Sequence, residues 1–358
     1  MMIKILSMQR VYNHGSFLQA YGLKKELEEF GTDVSFLDIE KGVDNTAIIN
    51  TRSDEIEKES KYKHIFQRII MRIKNKKQRV IFYIQAKNCL GLTDEPMSDD
   101  LCDLVVIGSD EVFNCALPSK WGFSTQLFGD VKGAHKVITY AASCGRTSYD
   151  SLTEDFRKLA KESLGNLASI SCRDSNTAQF VKKLTGYEPE MHLDPVLIYP
   201  FEKEIIECDF HKPFVLIYSY DNRITNQDEV KAIKEYAKEY GFEIVCAGVF
   251  QYWCKYNVPV SSFQLLGYFR KADAVITDTF HGTVLSIKYH KKFAAIVRKS
   301  NSNKLEYLLN QFKLTNRICR NSTQIAEILD SPIRYEYVDL KISTERDRTR
   351  EYLKYNLT

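Results

Sequence analysis

Apolar positions along the chain fall into short continuous runs separated by stretches of helical spacing, and the two kinds of segment alternate. Ile3 to Ser7 is a short apolar run of strand type, and Asn13-His14-Gly15-Ser16 follows as a turn with a helix cap. Phe17 to Phe30 then places Leu18, Tyr21, Leu23, Leu27 and Phe30 on a helical period that Gly31 closes. Val34 to Leu37 is the next predicted strand. The rhythm returns with strands at Leu104 to Ile107, Val137 to Ala142 and Ser169 to Cys172, and with helices over Glu154 to Ser163 and Thr177 to Leu184. The segment Glu190 to Pro195 ends this first series. A second series predicts strands at Phe214 to Tyr218, Glu243 to Cys246, Ala274 to Thr277 and Phe293 to Val297. Helices are expected between them over Asp228 to Tyr240, Phe263 to Arg270 and Gly282 to Tyr289, and over Lys304 to Phe312.

Strands alternating with helices imply parallel sheets covered on both faces. The expected fold class is therefore α/β, with two facing Rossmann-like domains and ligands collected at the carboxyl ends of the strands. Pro195, Pro200 and Pro213 bracket a charged connector. We accordingly expect a first domain over 1–200, a second over 201–320, and a charged helical tail over 321–358. Residues 45–95 break the rhythm. Between Ser60 and Thr93 there are nine Lys or Arg and no acid, interleaved with Ile, Phe, Met and Tyr. This reads as a basic, mostly helical insertion in the first domain. It is either a solvated helix or a segment that touches an anionic membrane face.

A length of 358 residues suits two domains, and 44% hydrophobic with 27% charged residues is a soluble globular balance. A net charge of +3 argues against a surface that tracks nucleic acid throughout. Nine dispersed cysteines without a Cys-x-x-Cys pair read as reduced thiols of the cytosol, and zinc-finger spacing is absent. The first residues enter a strand without a signal-type apolar stretch, and no apolar run approaches the ~20 residues that span a bilayer. The expectation is a cytoplasmic protein, with peripheral contact at the inner membrane face left open.

Four segments could carry chemistry. In Asp278-Thr279-Phe280-His281-Gly282-Thr283 a strand runs into a polar turn and then a helix. Backbone N–H groups of Gly282 and Thr283 at the helix start would attract an anion, and His281 beside them could carry protons. Equally, His281 could simply cap the helix. Ser171-Cys172-Arg173-Asp174 sets an arginine at another strand end, suited to carboxylate or phosphate, unless Arg173 pairs with Asp174. Arg298 precedes a small polar loop that leads to Lys304 and could reach the same crevice as His281. Ser109, Asp110, Glu111 and Phe113 follow the strand at Ile107: either acid could take a proton from a sugar hydroxyl, and the ring could stack on a sugar. The other reading of those acids is a helix N-terminus. Dinucleotide, P-loop, G-x-S-x-G, D-x-D and H-E-x-x-H patterns are all missing, so neither a metal nor a bound cofactor is expected.

Six segments in order resemble the polysaccharide pyruvyl transferase family. They are Asn13-His14-Gly15-Ser16-Phe17-Leu18-Gln19-Ala20-Tyr21, Ile107-Gly108-Ser109-Asp110-Glu111-Val112-Phe113-Asn114, Tyr140-Ala141-Ala142-Ser143, Ser171-Cys172-Arg173-Asp174, Leu193-Asp194-Pro195 and Asp278-Thr279-Phe280-His281-Gly282-Thr283. The resemblance implies two Rossmann-like domains as in GT-B glycosyltransferases. It implies transfer of pyruvate from phosphoenolpyruvate, as a ketal, to a sugar or lipid-linked oligosaccharide acceptor of a surface or exopolysaccharide. The family's donor-binding arginine, histidine and basic residue fall on Arg173, His281 and Lys304. Asp110 is the candidate base. Thr279, Gly282, Thr283 and Arg298, with Asn13, Gly15, Ser16, Ser109, Glu111 and Phe113, are the candidate binding residues. Glu111 and Phe113 stand where the family often has Gln and Trp, and Thr279 where it has Ser, which bears on the acceptor. A nucleotide-sugar glycosyltransferase and a non-catalytic glycan-binding relative are the alternatives.

Overall fold

The computed structural model describes residues 1–44, 65–95, 101–115, 119–298 and 301–358, with side chains from residue 69 in the stretch that begins at 65. The chain divides into two compact units. The first holds the described residues of Met1–Asp54 and Ala86–Pro200 together with Ile342–Thr358. The second holds those of Glu55–Gln85 together with Phe201–Lys341.

In the first unit, β1 (Met2–Leu6) leads through α1 (His14–Glu28) to β2 (Asp33–Leu37). After α2 (Ile65–Leu90) come β3 (Cys102–Asp110), β4 (Ala134–Ala142), α3 (Glu154–Leu164), β5 (Ser171–Cys172), α4 (Ser175–Thr185), β6 (Glu190–Met191) and the single turn α5 (Pro195–Ile198). These strands form one parallel sheet in the order β2-β1-β3-β4-β5-β6. Ile3 pairs with Val34 on one side and Leu104 on the other. Because helices cover the sheet, its central strands are buried without alternation: Leu104, Val105, Val106 and Ile107 are all inside.

The second unit repeats the plan with β7 (Phe214–Tyr218), α6 (Gln227–Glu239), β8 (Glu243–Ala247), β9 (Tyr256–Val258), α7 (Ser262–Lys271) and β10 (Ala274–Thr277). It continues through α8 (Phe280–Lys288), β11 (Lys292–Ile296), α9 (Ser302–Gln311), β12 (Ile318–Cys319) and α10 (Ile325–Asp330) to α11 (Glu336–Leu357). Its parallel sheet has the order β12-β11-β10-β7-β8-β9. In each sheet the first strand lies between strands reached in opposite directions, β1 between β2 and β3, and β7 between β8 and β10. At such a switch point the chain leaves neighbouring strands toward opposite sides and opens a crevice at their carboxyl ends.

Local details differ from the sequence expectation. The first helix starts at His14, because Asn13 Oδ1 accepts from the backbone N–H groups of Gly15 (2.8 Å) and Ser16 (3.4 Å). β3 continues to Asp110, well past Ile107. The basic stretch forms α2, while residues 45–64 and 96–100 lie outside the described residues. Its described residues up to Gln85 belong to the second unit rather than the first. Gln78 is fully buried there, donating to Val260 O and accepting from Val260 N, both at 2.8 Å. The charged tail is helical, but from Ile342 onward it is part of the first unit. Tyr352 donates to Thr139 O (2.8 Å), the Tyr140 hydroxyl meets Thr349 Oγ1 (3.0 Å), and Arg346 Nε donates to Ile198 O (2.8 Å). All nine cysteines are free thiols. No helix among the described residues is long and apolar enough to cross a membrane.

His192, just after β6, ties that helical tail to the sheet. It is buried, its Nδ1 lies 2.8 Å from Ser171 Oγ, and its ring packs on Tyr352 at 4.6 Å. Burial, reinforced by Arg348, lowers its pKa from 6.5 to about 4. Between these values the unfolded chain binds a proton that the folded chain does not, so stability falls as pH falls through 6.5 and levels off below 4. Urea melts should show this group removing on the order of 3 kcal/mol between pH 7 and pH 4. His192→Gln should flatten that part of the profile while keeping a partner for Ser171.

Candidate active site

The candidate residues gather into two polar clusters, one at the switch point of each sheet. In the first unit, parallel strands align Asp110 at the end of β3, Ser143 after β4, Arg173 after β5 and Asp194 after β6 along one edge. Asp110 has a left-handed backbone, φ 73°, which turns the chain at the strand tip. Its Oδ2 accepts from Ser16 Oγ at 2.5 Å, so the carboxylate joins the tip of β3 to the first turn of α1. Arg173, whose side chain is 2% exposed, places Nη1 2.7 Å from Asp194 Oδ2 and Nη2 3.6 Å from Asp110 Oδ1. Burial opposes its charge, but Asp194 and then Asp110 hold its pKa above the ordinary value. The guanidinium is thus a fixed cation between two carboxylates.

The Arg173–Asp174 pairing weighed from the sequence does not form. Asp174 instead caps α4, accepting from Thr177 N (2.8 Å) and from Ser143 Oγ (2.7 Å). Ser109 is fully buried and donates to Ala141 O at 2.8 Å. Glu111 accepts from Asn114 Nδ2 at 2.5 Å, in a turn that enters no helix. The helix-start reading of these acids is therefore replaced by a strand tip. Phe113 was expected to offer a ring to a sugar. It is 0% exposed and packs on Phe128 with ring centroids 4.8 Å apart, a core position. Asn13 and Gly15 serve the cap of α1, and of that segment Ser16 reaches the cluster.

In the second unit the centre is Asp278, fully buried just beyond β10. Oδ1 accepts from Ser219 Oγ (2.6 Å), at the end of β7 on the other side of the switch point. Oδ2 meets Arg223 Nε (3.1 Å) and Arg298 Nε (3.4 Å). Arg298 also forms two parallel bonds with Glu229, at 2.7 and 2.8 Å. Burial works against its charge, and Glu229 and Asp278 more than compensate, raising its pKa. Expected from the sequence to bind substrate, Arg298 is engaged with protein carboxylates. Asn301 Nδ2, at the cap position of α9, donates to Asp278 O, and the first turn of that helix bears the partly exposed Lys304.

The helix start at α8 also differs from expectation. Gly282 N donates to Thr279 Oγ1 (3.0 Å), and Thr283 N donates to Thr279 O (3.1 Å). Both N–H groups thus have partners within the protein instead of facing an anion. Thr283 Oγ1 likewise donates to Thr279 O (3.0 Å). His281 is 8% exposed in this first turn, its ring edge-on to Phe280. The sequence reading missed Ser219, Arg223, Glu229 and Asn301. Only Asn301 carried a signal, a cap-type residue ahead of a helix. Asp194 was visible as part of Asp194-Pro195, where the acid caps α5 (Val196 N, 3.0 Å) with proline at the first helical position. No group of three or more His, Cys, Asp or Glu able to hold a metal ion occurs among the described residues.

A family model spans Asp110, Arg173, Asp194, Asp278 and Arg298 of the two clusters. The family model for polysaccharide pyruvyl transferase matches residues 13–300, most of the chain. No curated protein matches. Among solved structures, UDP-GlcNAc 2-epimerase from Methanocaldococcus jannaschii is similar with a TM-score of 0.52 at 12% identity, covering 99% of this chain and 100% of the other. A putative UDP-N-acetylglucosamine 2-epimerase from Listeria monocytogenes has a TM-score of 0.50 at 12% identity, covering 96% of this chain and 90% of the other. The Streptomyces sp. SF2575 glycosyltransferase SsfS6 has a TM-score of 0.46 at 12% identity over the whole of both chains. At these identities the likeness to the two epimerases concerns the fold alone, an α/β plan of two units each built on a parallel sheet.

Two substitutions test how the clusters are held. Arg173→Leu strands Asp194 and Asp110 without their cation and should destabilise the protein by about 3–5 kcal/mol in urea melts. Gly282→Ala drives a methyl group into Thr277 Oγ1 and the capping Thr279 Oγ1, costing about 1–3 kcal/mol. Combined with Thr277→Ala, which opens that space, the two losses should fall short of additive.

Proposed function

Because the chain belongs to the polysaccharide pyruvyl transferase family, we propose that it moves the pyruvyl group of phosphoenolpyruvate onto two hydroxyls of a sugar, as a ketal. The acceptor is a unit of a surface or exopolysaccharide or its lipid-linked precursor, and the reaction is assigned to the cytoplasm, where the donor is made. The observation that carries this reading is the family match over residues 13–300, a span that contains Asp110, Arg173, Asp278, His281 and Arg298.

In the proposed reaction a proton adds to the donor's methylene carbon and leaves a cationic centre at the neighbouring carbon. One sugar hydroxyl attacks that centre, the bond to phosphate breaks, and a second hydroxyl closes the ketal. The two hydroxyl protons balance the one taken up by carbon and the one that leaves with phosphate. His281 is assigned the proton delivered to carbon, since imidazole exchanges protons near neutral pH. Asp110 is assigned as base toward the acceptor hydroxyl. Arg173 is a positioning residue in this scheme: engaged by Asp194 and Asp110, it holds the latter in place. The donor's negative charge is assigned to Lys304 and to Arg223, whose side chain is partly exposed, each charge-assisted bond contributing ~1.5–3 kcal/mol. The scheme calls on no metal and no bound cofactor.

Incubation with phosphoenolpyruvate and a panel of free and lipid-linked glycosides should release phosphate and add the pyruvyl mass to one acceptor. His281→Asn and Asp110→Asn should each lower turnover by ~10²–10⁴. Normal phosphate release in both variants would remove these assignments. Thermal stabilisation by a nucleotide sugar and not by phosphoenolpyruvate would replace the reading with a glycosyltransferase.

A further inference from the structure

The helix α2 presents two apolar faces, and described residues cover one of them. On the covered side Met71, Gln78 and Phe82 recur at helical spacing and are 7%, 0% and 1% exposed. Lys74 Nζ donates to Asn257 O (2.9 Å) and Gln85 Oε1 accepts from Ser262 N (2.6 Å), pinning the same side. On the other side Ile69, Ile73, Val80 and Ile84 are 48%, 63%, 50% and 56% exposed. At 3.6 residues per turn these four lie within a wedge of about 60°, so they form a stripe along one side of the helix, interrupted at the turn that carries Lys76 and Lys77. Ile70 and Tyr83, 47% and 48% exposed, widen it.

The stripe is bordered by exposed Arg72, Lys76, Lys77 and Arg79, with no acid on the helix. Exposed isoleucines in a row on a helix that already has a covered apolar side are not explained by the core of this chain. Their setting selects among occupants. A second copy docking through the same face would set two cationic borders against each other. A nucleic acid would use the lysines and arginines but leave the apolar stripe wet. An anionic bilayer interface accepts both: the side chains enter the boundary between headgroups and acyl chains, and the borders meet lipid phosphate and carboxylate.

The geometry points to the outer face of α2 as a membrane-surface docking site, with anionic lipid headgroups as its ligand. The helix lies in the plane of the interface and does not cross it. This inference rests on the exposed face of one helix and is independent of the chemistry proposed above.

The test uses the full chain and vesicles of phosphatidylcholine with or without phosphatidylserine. Flotation should occur with the anionic vesicles and fall at least about tenfold on neutral ones or at high salt. Ile73→Asp with Val80→Asp, and separately Lys76→Glu with Lys77→Glu, should each abolish most of the binding. Unchanged urea midpoints and unchanged phosphate release on a soluble acceptor would separate lost docking from lost folding or lost catalysis. Absence of flotation on anionic vesicles overturns the proposal, as does flotation indifferent to Ile73→Asp with Val80→Asp. Concentration-dependent dimers that this pair dissolves, without vesicle binding, would assign the face to a contact between copies and equally overturn it.

Discussion

A carboxylate buried at the tip of a strand has to be met by donors, and in each unit that requirement organises the switch point of the sheet. Asp110 is met by Ser16 and Arg173, and Asp278 by Ser219, Arg223 and Arg298. In both cases one partner comes from the segment after the first strand of the unit and another from a later strand or loop. The carboxylate therefore bridges two chain segments that the topology drives apart. An ionised acid in that position without such partners would carry a desolvation penalty of several kcal/mol. The arrangement is thus a structural necessity before it is a chemical one.

That necessity redistributes the roles suggested by residue type. Arg173 and Arg298 look, as isolated letters at strand ends, like anion receptors. In the fold both are committed to protein carboxylates, and their retained charge is a consequence of those contacts. The helix start at Thr279 behaves similarly. Its first turn is closed by its own capping threonine, and Gly282 is needed because Thr277 and Thr279 stand where a side chain would go. Among the candidate residues, Asp110 keeps a side chain 12% exposed, His281 stands 8% exposed in the first turn of α8, and Lys304 is partly exposed in the first turn of α9.

Two charged helices show how composition and placement separate. The end of the chain is rich in charge, yet Tyr352, Leu353 and Thr349 are buried against the first unit, and Tyr352 and Thr349 carry hydrogen bonds to its β4. A few apolar and hydroxyl residues on one face suffice for that. The helix α2 is the reverse case, with apolar residues exposed on a side that no described residue covers. Average charge would have treated both as solvated.

The alternation of apolar runs and helical spacings established the α/β class and located the strands that lead to Asp110, Arg173 and His281, because burial on both faces of a parallel sheet leaves a mark in the residue order itself. Ordered short motifs carried the family resemblance for a related reason: they sit at strand ends or, for Asn13 to Tyr21, at a helix start, where the backbone geometry restricts what can follow. The partners of those residues were decided by tertiary structure alone. Ser219 and Arg223 meet Asp278 across more than fifty residues, Glu229 meets Arg298 across 69, and Asp110 and Arg173 are 63 positions apart. No period or spacing records such pairs, since parallel strands are brought together through helical crossovers whose lengths are set by packing and leave no trace in the neighbouring letters.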